Sequence, residues 1–180
     1  MPRTERDKAA GLFHVYTRAA KWDDVFRDDI DRIGFLRELA YAGAKVGWQC
    51  LAYCLMTTHY HLLLSVGDKV MPKGMQSLNF RYASSFNSRH GTRGHVFGGR
   101  YESRRIADDF HLMTVCRYLA LNPVRAQLCD APADWVWSSY AGTVGRSTGQ
   151  TFVEPAPILS CFGGTPELSR SRLRRFVEGS

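Results

Sequence analysis

The segment GWQCLAYCLMTTHYHLLLSV, residues 47–66, consists of two apolar runs separated by Thr57 and Thr58. The first run, 47–55, is apolar enough for a central strand, and the second starts at His59. So short a break makes the two strands antiparallel neighbours. Side chains on a strand alternate faces with a period of two, so His59 and His61 project to one side. Tyr60, Leu62 and Leu64 project to the other, into whatever covers the sheet. Two imidazoles side by side above an apolar back face can hold a divalent ion. The same spacing also fits two histidines that merely lie near a strand edge. A metal site would need a third ligand from elsewhere in the chain.

A chain of 180 residues with 44% hydrophobic and 23% charged residues is expected to form one soluble domain with a real core. No apolar run approaches the roughly 20 residues of a membrane-spanning helix, and the charged N-terminal stretch MPRTERDKAAG carries no apolar signal segment. No membrane partner is expected. The five cysteines show no CxxC spacing, which argues against structural zinc or a disulfide framework and suits a reducing cytoplasm. The net charge of +7 is unevenly placed. Residues 71–125 carry nine Lys/Arg against three Asp/Glu, a local excess of six. A localised excess of this kind suggests a polyanion partner, with a well-solvated basic face as the plain alternative.

Working outward, GLFHVYTRA (11–19) reads as a first strand, with His14 as a surface or cross-strand residue and a site role as the alternative. A helix is predicted over 29–43, capped by Asp28 or Asp29, with Ile30, Ile33, Leu36 or Arg37, and Ala40 as its stripe. A second helix is predicted from 71 to about 90, with Met75, Leu78, Tyr82 and Ser85 or Phe86 inside and Lys73, Arg81 and Arg89 off the stripe. GTRGHVFGGR (91–100) is a Gly-rich turn flexible enough to pass close to a phosphate backbone. YESRRI (101–106) reads as a more polar fourth strand. Asp108 can cap a third helix that Pro123 stops near Asn122. On it, Tyr118 and Asn122 are four apart and share a face. The aromatic cluster WVWSSY (135–140) is expected to dock a returning segment on the core. The order strand, helix, strand, strand, helix, strand predicts an α+β fold, a ferredoxin-like split βαβ antiparallel sheet with helices packed on it. The additional helix, carrying Tyr118, is then free to lie across the other face beside His59 and His61. The expected division is a domain over 1–141 and a tail over 142–180. The tail is either an appendage packed on the domain or a further nucleic-acid contact.

Five stretches in consistent order carry a family resemblance: AYCLMTTHYHLLL (52–64), SLNFRYASSFNSRHG (77–91), GHVFGGRYESRRI (94–106), YLALNPVRA (118–126) and WVWSSY. Over roughly residues 11–141 the chain resembles a tyrosine transposase of the HUH superfamily, in the group associated with repetitive extragenic palindromes and close to the IS200-like transposases. The resemblance implies that His59 and His61 bind a divalent ion, that Asn122 completes the site, and that Tyr118 attacks a DNA phosphate. It further implies a covalent 5′-phosphotyrosine and a released 3′-OH, with Mg²⁺ or Mn²⁺ as the metal and no nucleotide cofactor. An ordinary tyrosine, with a pKa of about 10, is a poor nucleophile at neutral pH, so activation by the ion or the basic surface is expected. Lys73, Arg81, Arg89, Arg93, Arg100, Tyr101, Arg104, Arg105 and Arg125 are the candidate DNA-binding residues, with Tyr101 alternatively packing locally. Asn122 has a plain alternative role as a helix-end cap.

The chain departs from the family pattern at Thr57 and Thr58, where a Pro-Asn pair is usual, and at Tyr60, where a small aliphatic residue is usual. The resemblance therefore implies a metal-dependent single-strand DNA endonuclease and strand transferase acting at palindromic or hairpin elements, in a cytoplasmic, nucleoid-associated setting. A DNA-hairpin-binding protein with weak or no cleavage is the alternative, and a water-using phosphodiesterase with zinc or manganese is a third. The partner is single-stranded or hairpin DNA. Monomer and homodimer stay equally open.

Overall fold

The computed structural model describes residues 9–20, 24–68 and 70–179. Its sheet is built from β1 (Gly11–Arg18), β2 (Gln49–Leu55), β3 (His59–Val66) and β4 (Glu102–Arg105). The strand order is β2-β3-β1-β4, with every neighbouring pair antiparallel. Helix α1 (Asp29–Val46) connects β1 to β2, and α2 (Met71–His90) connects β3 to β4. This is the ferredoxin-like order expected from the sequence. After β4 come α3 (Asp109–Arg125), a 3-10 turn at Pro132–Asp134, α4 (Tyr140–Thr143), α5 (Ala156–Ser160) and α6 (Pro166–Glu178). Among the described residues no helix is long and apolar enough to cross a membrane.

The alternation along β3 divides the interior into two cores. Tyr60, Leu62 and Leu64 join Phe13 and Val15 of β1 under Phe35 and Leu39 of α1 and Met75, Leu78 and Tyr82 of α2. Leu63 joins Leu51, Ala52 and Cys54 of β2 on the opposite face, covered by Leu112, Val115, Cys116 and Leu119 of α3 and by Ile158, Leu173 and Val177 of α5 and α6. The two threonines between β2 and β3 are held by their backbone. The Thr57 carbonyl accepts hydrogen bonds from the Val25 and Phe26 amides, and the Thr58 carbonyl accepts one from Ala19. The aromatic segment after α3 docks along the free edge of β2, as expected. Leu55 N–H donates to the Trp137 carbonyl at 2.9 Å, and Trp135 Nε1 donates to the Leu55 carbonyl at 3.0 Å.

Three expectations need correction. The α1 stripe does not run through Ile30 and Ile33, which are 61% and 59% exposed. The inward positions are Phe35, Leu36, Leu39 and Ala42, together with the polar Asp31, Arg32 and Glu38. Each polar residue has a partner that the pattern of apolar residues cannot reveal. Asp31 is bonded by Arg89 at 2.6 Å and His90 at 3.0 Å, Glu38 by Arg81, and the Arg32 guanidinium lies over Phe26, Trp135 and Trp137. Second, α1 continues to Val46, where Gly47 closes it in the left-handed conformation (φ 77). Third, Pro123 sits inside α3, which ends at Arg125. So close to the helix end, the missing proline N–H removes a single bond from the last turn.

Candidate active site

The register of β1 against β3 pairs Arg18 with His59, Tyr16 with His61 and His14 with Leu63. Residues opposite one another on an antiparallel pair share a face. His14, Tyr16 and Arg18 therefore lie on the face that carries the two histidines of β3. His61 is buried at 4% exposure and His14 at 9%. Their ring nitrogens meet, His14 Nε2 to His61 Nδ1 at 2.9 Å. The Thr58 hydroxyl lies 3.1 Å from His59 Nδ1. Both β3 histidines are thus held through Nδ1. His61 Nε2 is buried and has no hydrogen-bond partner among the described residues.

Burial keeps these rings neutral. It lowers His61 from 6.5 to about 2, helped by His14, His59 and Arg18. It lowers His14 to about 4, with Arg104 and His111 nearby adding to it, and it lowers His59 with a contribution from Arg18. A neutral imidazole is the form that binds metals. A lone pair on His61 Nε2 requires the proton on Nδ1, and His14 Nε2 is the acceptor placed to take that hydrogen bond.

Helix α3 brings the tyrosine. The Asp108 carboxylate caps it by accepting from His111 N–H at 2.8 Å. Leu112, Val115 and Leu119 dock on the sheet, so Tyr118 projects along the edge of that contact and is 38% exposed. Its ring stands edge-on to His61, with centroids 5.3 Å apart, and to His14 at 5.9 Å. Asn122 lies one turn further along the same helix face, and its Nδ2 is buried and unpartnered among the described residues. The Arg125 guanidinium lies 6.0 Å from the Tyr118 ring. Tyr60, by contrast, is fully buried on the other face, where its hydroxyl takes a bond from Thr17 and donates to Asn79 Oδ1 at 2.6 Å. It is no nucleophile for this site.

Among the described residues no group of three or more His, Cys, Asp or Glu side chains is arranged to hold a metal ion. A third protein donor beside His59 and His61 would have to be of another kind, and the Asn122 amide is of that kind. The unsatisfied His61 Nε2 fits a divalent cation, since buried polar atoms without partners are rare in native proteins, and Asn122 would contribute its amide oxygen rather than the unpartnered Nδ2. Mixed imidazole and amide-oxygen donors are compatible with a divalent ion completed by phosphate or water oxygens.

The nine candidate DNA-binding residues separate into groups. Arg104 pairs with His14 across β1 and β4, so it faces the site, and Arg125 is beside Tyr118. Arg93 and Arg100 lie exposed on the Gly-rich loop. Lys73 is exposed at the start of α2. Arg81 is ion-paired to Glu38, and Arg89 is ion-paired to Asp28 and Asp31, so these two tie α2 to α1. Arg105 lies over the Phe13 ring and donates to the Ala9 and Ala10 carbonyls on the opposite face of the sheet. Tyr101 is buried in the first core at 7% exposure. Two residues of the site were not assigned to it by the sequence reading. His14 was read there first as a surface or cross-strand histidine, with a site role as the lesser alternative. Arg18 was not singled out, although period two from His14 through Tyr16 leads to it.

The family model for IS200-like transposases matches residues 11–122. The chain belongs to the IS200-like transposase family. No curated protein sequence matches it. Among solved structures it is similar to a REP-associated tyrosine transposase bound to a REP hairpin, with a TM-score of 0.69 at 13% identity, over 86% of this chain and 100% of that one. A putative transposase from Deinococcus radiodurans R1 is similar at a TM-score of 0.47 and 17% identity, over 66% of this chain and 95% of that one. The first of these likenesses establishes the fold, and the family establishes a transposase, an enzyme class that acts on DNA. The matched span runs from the first residue of β1 to Asn122, and so includes His14, His59, His61 and Tyr118.

Proposed function

We propose that this transposase is a metal-dependent single-strand DNA endonuclease and strand transferase that works through a 5′-phosphotyrosine on Tyr118 at hairpin elements. The observation that carries the reading is the Tyr118 ring set against a buried His61 whose Nε2 has no partner. His59, His61 and Asn122 would hold Mg²⁺ or Mn²⁺. When bound, such an ion polarises the scissile phosphate and offsets the charge that builds up on its oxygens.

The chain's own residues do the rest. Tyr118 gives up its hydroxyl proton to solvent, and the resulting phenolate oxygen forms a bond to phosphorus as the bond from phosphorus to the 3′ oxygen breaks. The electron pair leaves on that oxygen, which takes up a proton and departs as a 3′-OH. Attack by a 3′-OH reverses the step and rejoins strands, which makes the enzyme a transferase without any nucleotide cofactor. Arg125 beside Tyr118 stabilises the phenolate, and Arg18 and Arg104 at the rim bind phosphate. His14 holds His61 in the tautomer that leaves Nε2 free, and Thr58 does the corresponding work for His59. The Thr57-Thr58 entry thus contributes an orienting hydroxyl where the family pattern has an amide. The DNA hairpin held by the structural neighbour supports hairpin DNA as the substrate.

The test is incubation with labelled hairpin DNA carrying single-stranded flanks, with Mn²⁺, followed by denaturing electrophoresis. A protein–DNA adduct formed by the native chain and absent from Tyr118→Phe is expected. Tight binding with neither adduct nor nick would favour a hairpin-binding protein instead. Cleavage that survives Tyr118→Phe would favour a phosphodiesterase that uses water.

A further inference from the structure

The basic Gly-rich loop between α2 and β4 does more than border the catalytic face. It pairs with the end of β1: Gly98 N–H donates to the Arg18 carbonyl at 2.9 Å and Ala20 N–H to the Val96 carbonyl at 3.0 Å. Three concavities follow it. The first, of about 250 Å³, starts at Tyr16, Arg18 and Glu102 on the rim of the candidate site and ends at Gly98–Arg100. The second, of about 850 Å³, shares Gly98, Gly99 and Arg100 with the first and continues to Arg93. The third, of about 610 Å³, shares Arg93, Gly94 and His95 with the second and opens onto α2 at Asn79, Phe80 and Ala83. Shared walls make these one groove around the end of β1.

The far end of the groove combines features that seldom coincide on a plain surface. Its floor includes the buried Val96 and Phe97, and one wall is Phe80, a whole aromatic ring 73% exposed on α2. A lone exposed aromatic needs no explanation, but this one lines a cavity entered along Arg18, Arg100 and Arg93. Asn79, on the same wall, has its carbonyl occupied by the Tyr60 hydroxyl, which leaves its amide N–H groups as donors. A cationic track leading to an aromatic face is the chemistry of single-stranded nucleic-acid binding. Arginines follow the phosphates, and every base has a flat face that can stack. Duplex DNA offers no free base faces to such a platform.

We propose that this groove holds the unpaired DNA strand adjoining the cleaved phosphate, with one of its bases stacked on Phe80. The proposal rests on the reading of the chain as a single-strand nuclease, and it assigns the strand's path and a base-binding subsite beyond the catalytic face. Arg93 and Arg100 carry the phosphates, the loop glycines allow close approach of the backbone, and Asn79 meets the edge of the stacked base. Tyr60 then has a second task, since its hydroxyl occupies the Asn79 carbonyl from beneath.

The test uses the full chain and two DNAs, a blunt hairpin and the same hairpin with a single-stranded flank carrying 2-aminopurine. Binding is read by anisotropy and stacking by fluorescence quenching. Phe80→Ala is expected to weaken binding of the flanked hairpin between roughly 5- and 150-fold, the range for one stacked base. It should also abolish quenching at one flank position and leave the blunt hairpin's affinity unchanged. Arg93→Ala should weaken the flanked hairpin alone and flatten its salt dependence. Phe110→Ala, which removes an equally exposed ring on α3 outside the groove, should change nothing. Unchanged binding and quenching in Phe80→Ala overturns the proposal, as does equal weakening of both DNAs. Adduct formation by the native chain is scored separately. Flank binding that depends on Phe80 without any adduct would keep the groove and remove the nuclease reading. An adduct with no Phe80 dependence would do the reverse.

Discussion

The two faces of one sheet are built from the same two strands and have opposite chemistry. On one, Phe13, Val15, Tyr60 and Leu62 are packed by α1 and α2, and the polar hydroxyl of Tyr60 is fully satisfied. On the other, His14, Tyr16, Arg18, His59 and His61 alternate with those residues, and His61 is buried with one ring nitrogen unsatisfied. Alternation with period two puts a packed core and a buried polar cluster within one residue of each other. The apolar packing on both sides of the sheet supplies the folding energy that allows this cluster to keep a buried nitrogen without a partner.

The largest effect expected from breaking this contrast is on the packed face. Tyr60→Ala empties a fully buried ring site packed at a tilt against Phe35 and leaves Thr17 and Asn79 without their partner. A loss of about 3–5 kcal/mol in unfolding free energy is expected by urea denaturation. A loss below 1 kcal/mol would mean that Tyr60 does not anchor the core.

On the polar face the expected consequence moves from stability to binding. His14→Ala removes the partner of His61 Nδ1 and should weaken Mn²⁺ binding by about 10–100-fold, measured by titration calorimetry. His14→Gln, which keeps an acceptor for the Nδ1 proton, should recover part of that loss. Equal Mn²⁺ affinity in all three proteins would remove His14 from the site.

The smallest effect lies at the outer seam of the packed face, where Arg89 joins Asp28 and Asp31 across α1 and α2. Hydrogen bonding from Arg89 holds the Asp28 carboxyl down at about 2, from an ordinary value of 3.8. With the folded value below the unfolded one, this contribution is complete above about pH 4 and is lost as pH falls through 2. Thermal melting between pH 5 and 2 should therefore show a steeper acid decline for the native chain than for Asp28→Asn. Parallel curves would show that the pair contributes nothing.

The alternation that separates the two faces was legible because strand periodicity depends only on side-chain direction, and it placed His59, His61 and Tyr60 on their observed faces. The helix face shared by Tyr118 and Asn122 was legible for the same reason. The inner face of α1 was not. Ile30 and Ile33 mimic an apolar stripe, whereas Asp31 and Glu38 are buried because Arg89 and Arg81 neutralise them and His90 bonds Asp31, all some 40 to 60 residues away in sequence. The same arginines look like DNA contacts when only charge density is counted. His14 and Arg18 were hidden by a register between β1 and β3 that no local pattern encodes. Once Arg18 is set opposite His59, both fall into the site.

The central claim is that the polar face is a nucleolytic site built around Tyr118, and the denaturing-gel adduct assay with flanked hairpin DNA and Mn²⁺ addresses it most directly. The account predicts a covalent adduct with the native chain, its loss in Tyr118→Phe, and a free 3′-OH on the released strand. An adduct that persists in Tyr118→Phe, or none from the native chain across flanked hairpins of varied sequence, would contradict it.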